Sequence, residues 1–197
     1  MNHLGGYMIG EIGDPATYYP NMWKYVIDKY NVKSVLDVGC GMGISCSFFK
    51  NNGCNVIGIE GDPLCKENSN VKDSIITHDY TIGKTNIDQE FDLSWCCEFL
   101  EHVDAQFIDN FMVDFTKCKL ILITHAFPGQ AGHHHVNLQN SDYWIDIFKK
   151  YNLYYNQELT NELRDVAVKD WQMYSPNHKS HFVRSGLVFN NIESRKI

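Results

Sequence analysis

The sequence predicts an α/β domain built on a doubly wound, mainly parallel sheet with helices on both faces and an antiparallel last strand. Three observations predict it. Short β-branched or aromatic runs alternate with helical stretches from residue 32 to about 126, the pattern of a parallel sheet covered on both sides. A glycine-rich turn, Gly39-Cys40-Gly41-Met42-Gly43, directly follows the first of these runs. The final run, HFVRSGLVFN, alternates polar and apolar residues as an antiparallel strand does.

Residues 1–19 hold four glycines, a proline and several tyrosines without helical or strand period, and read as an N-terminal arm or lid, with Gly5-Gly6, Tyr7, Tyr18 and Tyr19 as the features that would order over a ligand. A helix is expected over Asn21–Asn31, where Trp23, Val26, Ile27 and Tyr30 recur at helical spacing and Asn21, just after Pro20, is an N-cap. Strand SVLDVG, helix ISCSFFKNNG and strand NVIGIE follow, closed by the turn Gly61-Asp62-Pro63. The third run is SIITHD. A polar stretch over 80–90 leads to FDLSWCC, a helix through about Lys117, and KLILITHA. The regularity weakens beyond Ala126: a Gly/His loop from Pro128 to Asn137, a helix near 141–151, the run LYYNQEL, and a short helix near 158–169. No repeat, linker or low-complexity segment divides the chain, so 1–197 reads as a single domain.

Composition narrows the function. A net charge of −7 disfavours sequence-independent nucleic-acid binding, which rests on a basic face. No apolar stretch approaches the ~20 residues needed to span a bilayer, and the N-terminus shows no secretory signal, so a cytoplasmic location without membrane partners is expected. The seven cysteines form no C-x-x-C pair and read as reduced, mostly buried small hydrophobes.

The glycine turn carries the first chemistry. Gly39, Gly41 and Gly43, with Cys40 between them, let the backbone approach a ligand closely at the start of a helix. Glu60 and Gly61 end the second run, where an acid accepts hydrogen bonds from a ribose diol. A nicotinamide dinucleotide is disfavoured because Ile44 stands where its fingerprint needs glycine, and because Asp37, two residues before the turn, suits a cationic amine rather than a pyrophosphate.

With these motifs in order, the chain resembles the class I S-adenosylmethionine-dependent methyltransferases over about residues 32–125. The resemblance implies a Rossmann-like fold and S-adenosylmethionine as cofactor, held by Asp37, the Gly39–Gly43 loop and Glu60. It further implies that His78 and Asp79 contact the adenine. The backbone around Trp95 to Cys97, with Cys96 in the contact set, would line the methionine part.

A second cluster follows. Glu98, Glu101 and His102 stand at i, i+3 and i+4, which on a helix is one face. His133, His134 and His135 lie in the later loop, whose end of the sheet opens onto the same crevice. This E-x-x-E-H element resembles the magnesium or manganese site of methyltransferases acting on the 3′-terminal ribose of small RNAs, and the metal motif of ubiquinone-pathway O-methyltransferases. Glu98, Glu101, His102, His133 and His135 are therefore candidate ligands for Mg²⁺ or Mn²⁺, while a metal-free base and simple packing stay open as alternatives. His102, His125 and His135 are the candidate catalytic histidines. Nothing in the sequence ties His178 or His181 to the site.

The expected function is methyl transfer to an oxygen of a small polar acceptor, a sugar, nucleotide sugar or phenol, by a monomer or homodimer. The alternatives are methylation of an RNA 3′-terminal ribose and a catalytically idle cofactor-binding activator subunit.

Overall fold

The computed structural model describes residue 4, residues 15–172 and residues 180–192. Most of the expected arm, Gly5, Gly6 and Tyr7 included, and His178 lie outside the described residues. The elements are α1 (Pro20–Tyr30), β1 (Ser34–Val38), α2 (Ile44–Asn51), β2 (Asn55–Glu60), α3 (Pro63–Glu67), β3 (Ile75–Thr77), β4 (Phe91–Cys96), α4 (Ile108–Phe115), β5 (Cys118–Ile123), α5 (Ser141–Lys150), β6 (Leu153–Tyr155), α6 (Gln157–Gln172), α7 (His181–Ser185) and β7 (Leu187–Asn191). They build one seven-stranded sheet in the order β3-β2-β1-β4-β5-β7-β6. The first five strands pair in parallel, and β7 runs antiparallel to both β5 and β6. The expected fold class holds.

Alternation explains why both faces are covered. Leu36 and Val38 of β1 and Ile121 and Ile123 of β5 enter one apolar cluster with Phe111, Phe115 and Phe148. Their neighbours Val35, Leu120 and Leu122 enter the other, with Trp23, Val26, Trp95 and Leu163. Each fully buried large side chain contributes about 1.5–3 kcal/mol, and strands apolar on both faces have no stable place except between two helical layers.

Three local expectations differ. Helix α1 starts at Pro20, not after Asn21, because proline's missing N–H is no loss at the first helical position. Its next amides are received by a remote carboxylate: Asn21 N–H and Met22 N–H donate to Asp170 at 2.8 and 3.0 Å. The stretch after β4 is not a helix until Ile108; Glu98 takes a left-handed φ of 53°, and single 3-10 turns occupy Leu100–His102 and Ala105–Phe107. HFVRS, expected as strand, is helix α7, capped by Ser180, whose Oγ accepts from Val183 N–H at 3.3 Å.

The order of the strands locates the site. Chain progression reverses between β1 and β4, the switch point at whose C-terminal edge open α/β sheets bind ligands. Among the described residues no helix is long and apolar enough to cross a membrane.

Candidate functional site

A cavity of about 470 Å³ opens at that edge. One half is built from the ends of β1, β2 and β3. Gly39 has φ +75°, and a β-carbon there would stand 2.7 Å from the Phe99 side chain, so only glycine serves. The turn is fixed from below by the Gly39 and Cys40 amides, which donate to the Ile59 carbonyl at 2.9 and 3.0 Å. Glu60 is aimed by the same turn: its carboxylate accepts from Gly41 N–H at 2.8 Å and from Asp62 N–H at 2.9 Å. Burial raises its pKa in spite of those amides.

Asp37 borders the cavity beneath the loop, 1% exposed. Ser45 Oγ–H and Cys46 Sγ–H donate to it, yet burial pushes its carboxyl up to about 7. Cys40, Gly41, Gly61, His78 and Asp79 also line the cavity. His78 is anchored by its ring against the Gly83 carbonyl at 2.9 Å, and Asp79 accepts from Thr81 N–H at 2.8 Å.

Two expected cofactor residues sit elsewhere. Gly43 precedes α2 in a left-handed conformation without reaching the cavity wall. Cys96 is 0% exposed and turned into the core, because strand alternation sends its neighbours Trp95 and Cys97 to the cavity instead.

The other half gathers the acids and histidines, though not as a helical face. The left-handed turn at Glu98 breaks the expected helical face, although its carboxyl still meets that of Glu101 through a side-chain hydrogen bond. Glu98 faces α7: its Oε2 meets His181 Nδ1 at 3.1 Å and its Oε1 accepts from Thr124 Oγ1–H at 2.9 Å. Burial works to raise its pKa, but the His181 and Thr124 contacts outweigh it and hold the carboxyl below its usual value.

Glu101 is 0% exposed, and neither carboxylate oxygen has a hydrogen-bond donor. Burial, and next the negative charge of Glu98, push its carboxyl well above the ordinary range. The Glu101 carbonyl accepts from Val136 and Asn137 N–H at 2.9 and 3.1 Å. These bonds draw the histidine loop onto the site, and the rings of His102 and His135 lie 5.1 Å apart. One ligand atom from each of Glu101, His102 and His135 falls within 4.8 Å of the others. Burial, and then the charge of His135, lower His102 to about 4, which keeps it neutral and ligand-competent at pH 7. A buried acid without a donor beside two imidazoles fits a divalent cation. Glu98 and His133 fall outside that trio, although both line the cavity.

His125 does not reach the cavity. It is 1% exposed, its Nε2 lies 3.0 Å from Ser141 Oγ, and its ring packs edge-on against Phe127. It joins β5 to α5 and has no access to a reacting group. The residue that sequence reasoning passed over is His181, which lines the cavity from 56 residues or more beyond the other candidates except His133 to His135; its only sequence signal was Ser180 as a helix cap, a feature that the strand reading of HFVRSGLVFN hid. From the N-terminal segment, Leu4 and Thr17 reach the cavity.

Comparison with known proteins agrees with this geometry. A family model described as a methyltransferase domain matches residues 20–118. A ubiquinone biosynthesis O-methyltransferase from Actinobacillus pleuropneumoniae is 37% identical over 100 residues, 43% of this chain and 42% of that protein, so the match spans about two fifths of the curated relative's length. The crystal structure of a SAM-dependent methyltransferase from Archaeoglobus fulgidus superposes with a TM-score of 0.59 at 15% identity, over 90% of this chain and 95% of that one. The plantazolicin methyltransferase BpumL, solved with a triazolic desmethylPZN analogue and SAH, gives 0.62 at 12% identity, over 90% and 85%. Strand order, switch-point cavity and family match converge: the chain belongs to the methyltransferase-domain family and carries the fold of the class I S-adenosylmethionine-dependent methyltransferases.

Proposed function

We propose that the protein transfers a methyl group from S-adenosylmethionine to an oxygen of a small polar acceptor, a sugar, nucleotide sugar or phenol. The observation that carries this reading is the cofactor half of the cavity, where the Gly39 turn and the amide-aimed carboxylate of Glu60 flank the buried Asp37. Glu60 is placed to accept the ribose hydroxyls, and Asp37 supports the turn beneath the methionine end. His78 and Asp79 close the adenine side.

The acceptor side supports oxygen over other atoms through its acids and imidazoles. Glu101, His102 and His135 would hold a Mg²⁺ or Mn²⁺ ion, and when bound such an ion lowers the pKa of a hydroxyl beside it. The relative from Actinobacillus pleuropneumoniae is named as an O-methyltransferase, which supports the same choice. No lysine or arginine is among the described residues lining the cavity, so an RNA end finds no fixed counter-charge for its phosphates there.

Glu60→Ala tests the cofactor assignment. Losing charge-assisted hydrogen bonds to a diol costs about 1.4–2.8 kcal/mol, one to two orders of magnitude in affinity. Titration calorimetry with S-adenosylhomocysteine is expected to show that loss. Unchanged affinity would sink the placement of the cofactor on this turn.

A further inference from the structure

We propose that His181, oriented by Glu98, is the group that receives the acceptor's proton during methyl transfer. The proposal rests on the methyl-transfer reading above and assigns it a residue outside the Glu101, His102 and His135 trio. His181 lines the acceptor half of the cavity, and its Nδ1 lies 3.1 Å from Glu98 Oε2.

The pair is held from both ends. Glu98 N–H donates to Thr124 Oγ1 at 2.8 Å, and that hydroxyl donates back to Glu98 Oε1 at 2.9 Å, so the carboxylate cannot swing away without breaking a closed loop. The left-handed backbone at Glu98, with φ 53°, accompanies this loop, a conformation that a non-glycine residue keeps only where its surroundings hold it. On the other side, Phe182 stacks on Trp95 with ring centroids 5.9 Å apart, and Phe182 N–H donates to the buried Tyr19 hydroxyl at 3.1 Å. Helix α7 is thereby fixed to the sheet, and with it the ring of the preceding residue.

Charge movement explains why such a pair belongs here. As the acceptor oxygen bonds to the methyl carbon, the carbon–sulfur bond breaks and its electron pair stays on sulfur, which becomes a neutral thioether. The acceptor's proton passes to the imidazole. Positive charge therefore moves from sulfonium to His181, where the Glu98 carboxylate meets it, as an orienting carboxylate does for a histidine base in acyl transfer.

The experiment uses the full chain with S-adenosylmethionine and catechol as the acceptor probe, reading S-adenosylhomocysteine formed, with calorimetry of S-adenosylhomocysteine alongside. His181→Ala is expected to lower kcat by roughly 10²–10⁴-fold while cofactor affinity stays within about threefold, and added imidazole is expected to restore part of the rate. In Glu98→Gln, nitrogen NMR of the histidine rings is expected to show His181 leaving the Nδ1–H tautomer, a readout that needs no turnover and survives if the alanine variant misfolds. Full kcat in His181→Ala, or an unchanged tautomer in Glu98→Gln, would overturn the proposal and leave the methyltransferase reading standing. Loss of cofactor affinity in parallel with rate would place His181 on the cofactor side and overturn it as well. If the wild-type protein binds S-adenosylhomocysteine but transfers nothing to catechol, the phenol acceptor and the base assignment fall together, and the cofactor assignment does not.

Discussion

Asp37 shows how burial converts one side chain into a pH-dependent stability contribution. Its carboxyl is pushed up to about 7, chiefly by desolvation, with the Ser45 and Cys46 hydrogen bonds only partly offsetting it. Between its unfolded value and 7, the folded chain keeps a proton that the unfolded chain has released. Its contribution is therefore fully present at low pH and is lost as pH rises through this window. Urea unfolding of the cofactor-free protein at pH 5 and pH 7 should show Asp37→Asn relieving about 2 kcal/mol of that loss. Equal pH dependence in variant and wild type would mean that Asp37 ionises normally. The acid itself was legible in the sequence from its place two residues before the glycine turn; its burial was not, since that depends on α2 packing Ser45 and Cys46 over it.

At the scale of elements, α1 is capped by a carboxylate that α6 supplies. Asp170 receives Asn21 N–H, Asn21 Nδ2–H and Met22 N–H at 2.8, 2.8 and 3.0 Å, across 148 or 149 residues of chain. Asp170, itself 1% exposed, is the acceptor for both amides, and Asp170→Ala leaves them, the Met22 amide in a buried position, without it. A loss of about 2 kcal/mol is expected, or roughly 4–8 °C in Tm for a chain of this size. Asp28→Ala, which removes an exposed ion pair with Lys24, is the matched control and should change Tm little. Equal shifts in the two variants would mean that the cap carries no special weight. The helix over Asn21–Asn31 was readable from its apolar spacing, whereas the sequence-local N-cap at Asn21 was a misreading, because the capping carboxylate comes from the far end of the chain.

The candidate cation site is a property of the whole molecule. Glu101 and His102 come from a single 3-10 turn after β4, and His135 comes from the loop after β5; the Glu101 carbonyl ties the two segments together. Manganese titrated into the metal-free protein should bind once per chain by calorimetry or electron paramagnetic resonance. Glu101→Ala should weaken that binding roughly tenfold or more, with affinity for S-adenosylhomocysteine preserved. Equal manganese binding by both proteins would remove the trio as a site.

The sequence by itself determined the parallel sheet, the glycine turn and its acids, because those signals are local: a strand period, a backbone freedom that only glycine has, and a fixed spacing between turn and acid. It also brought Glu101, His102 and His135 forward, within a wider set that held Glu98 and His133 as well. Only the tertiary structure decided which members meet. Strand alternation turned Cys96 inward and Cys97 toward the cavity, α5 covered His125, and the left-handed turn at Glu98 brought its carboxylate to His181 of α7. His181 entered the site for the same reason. A contact between residues 83 positions apart is set by how helices and strands pack, and no local pattern in the chain encodes it.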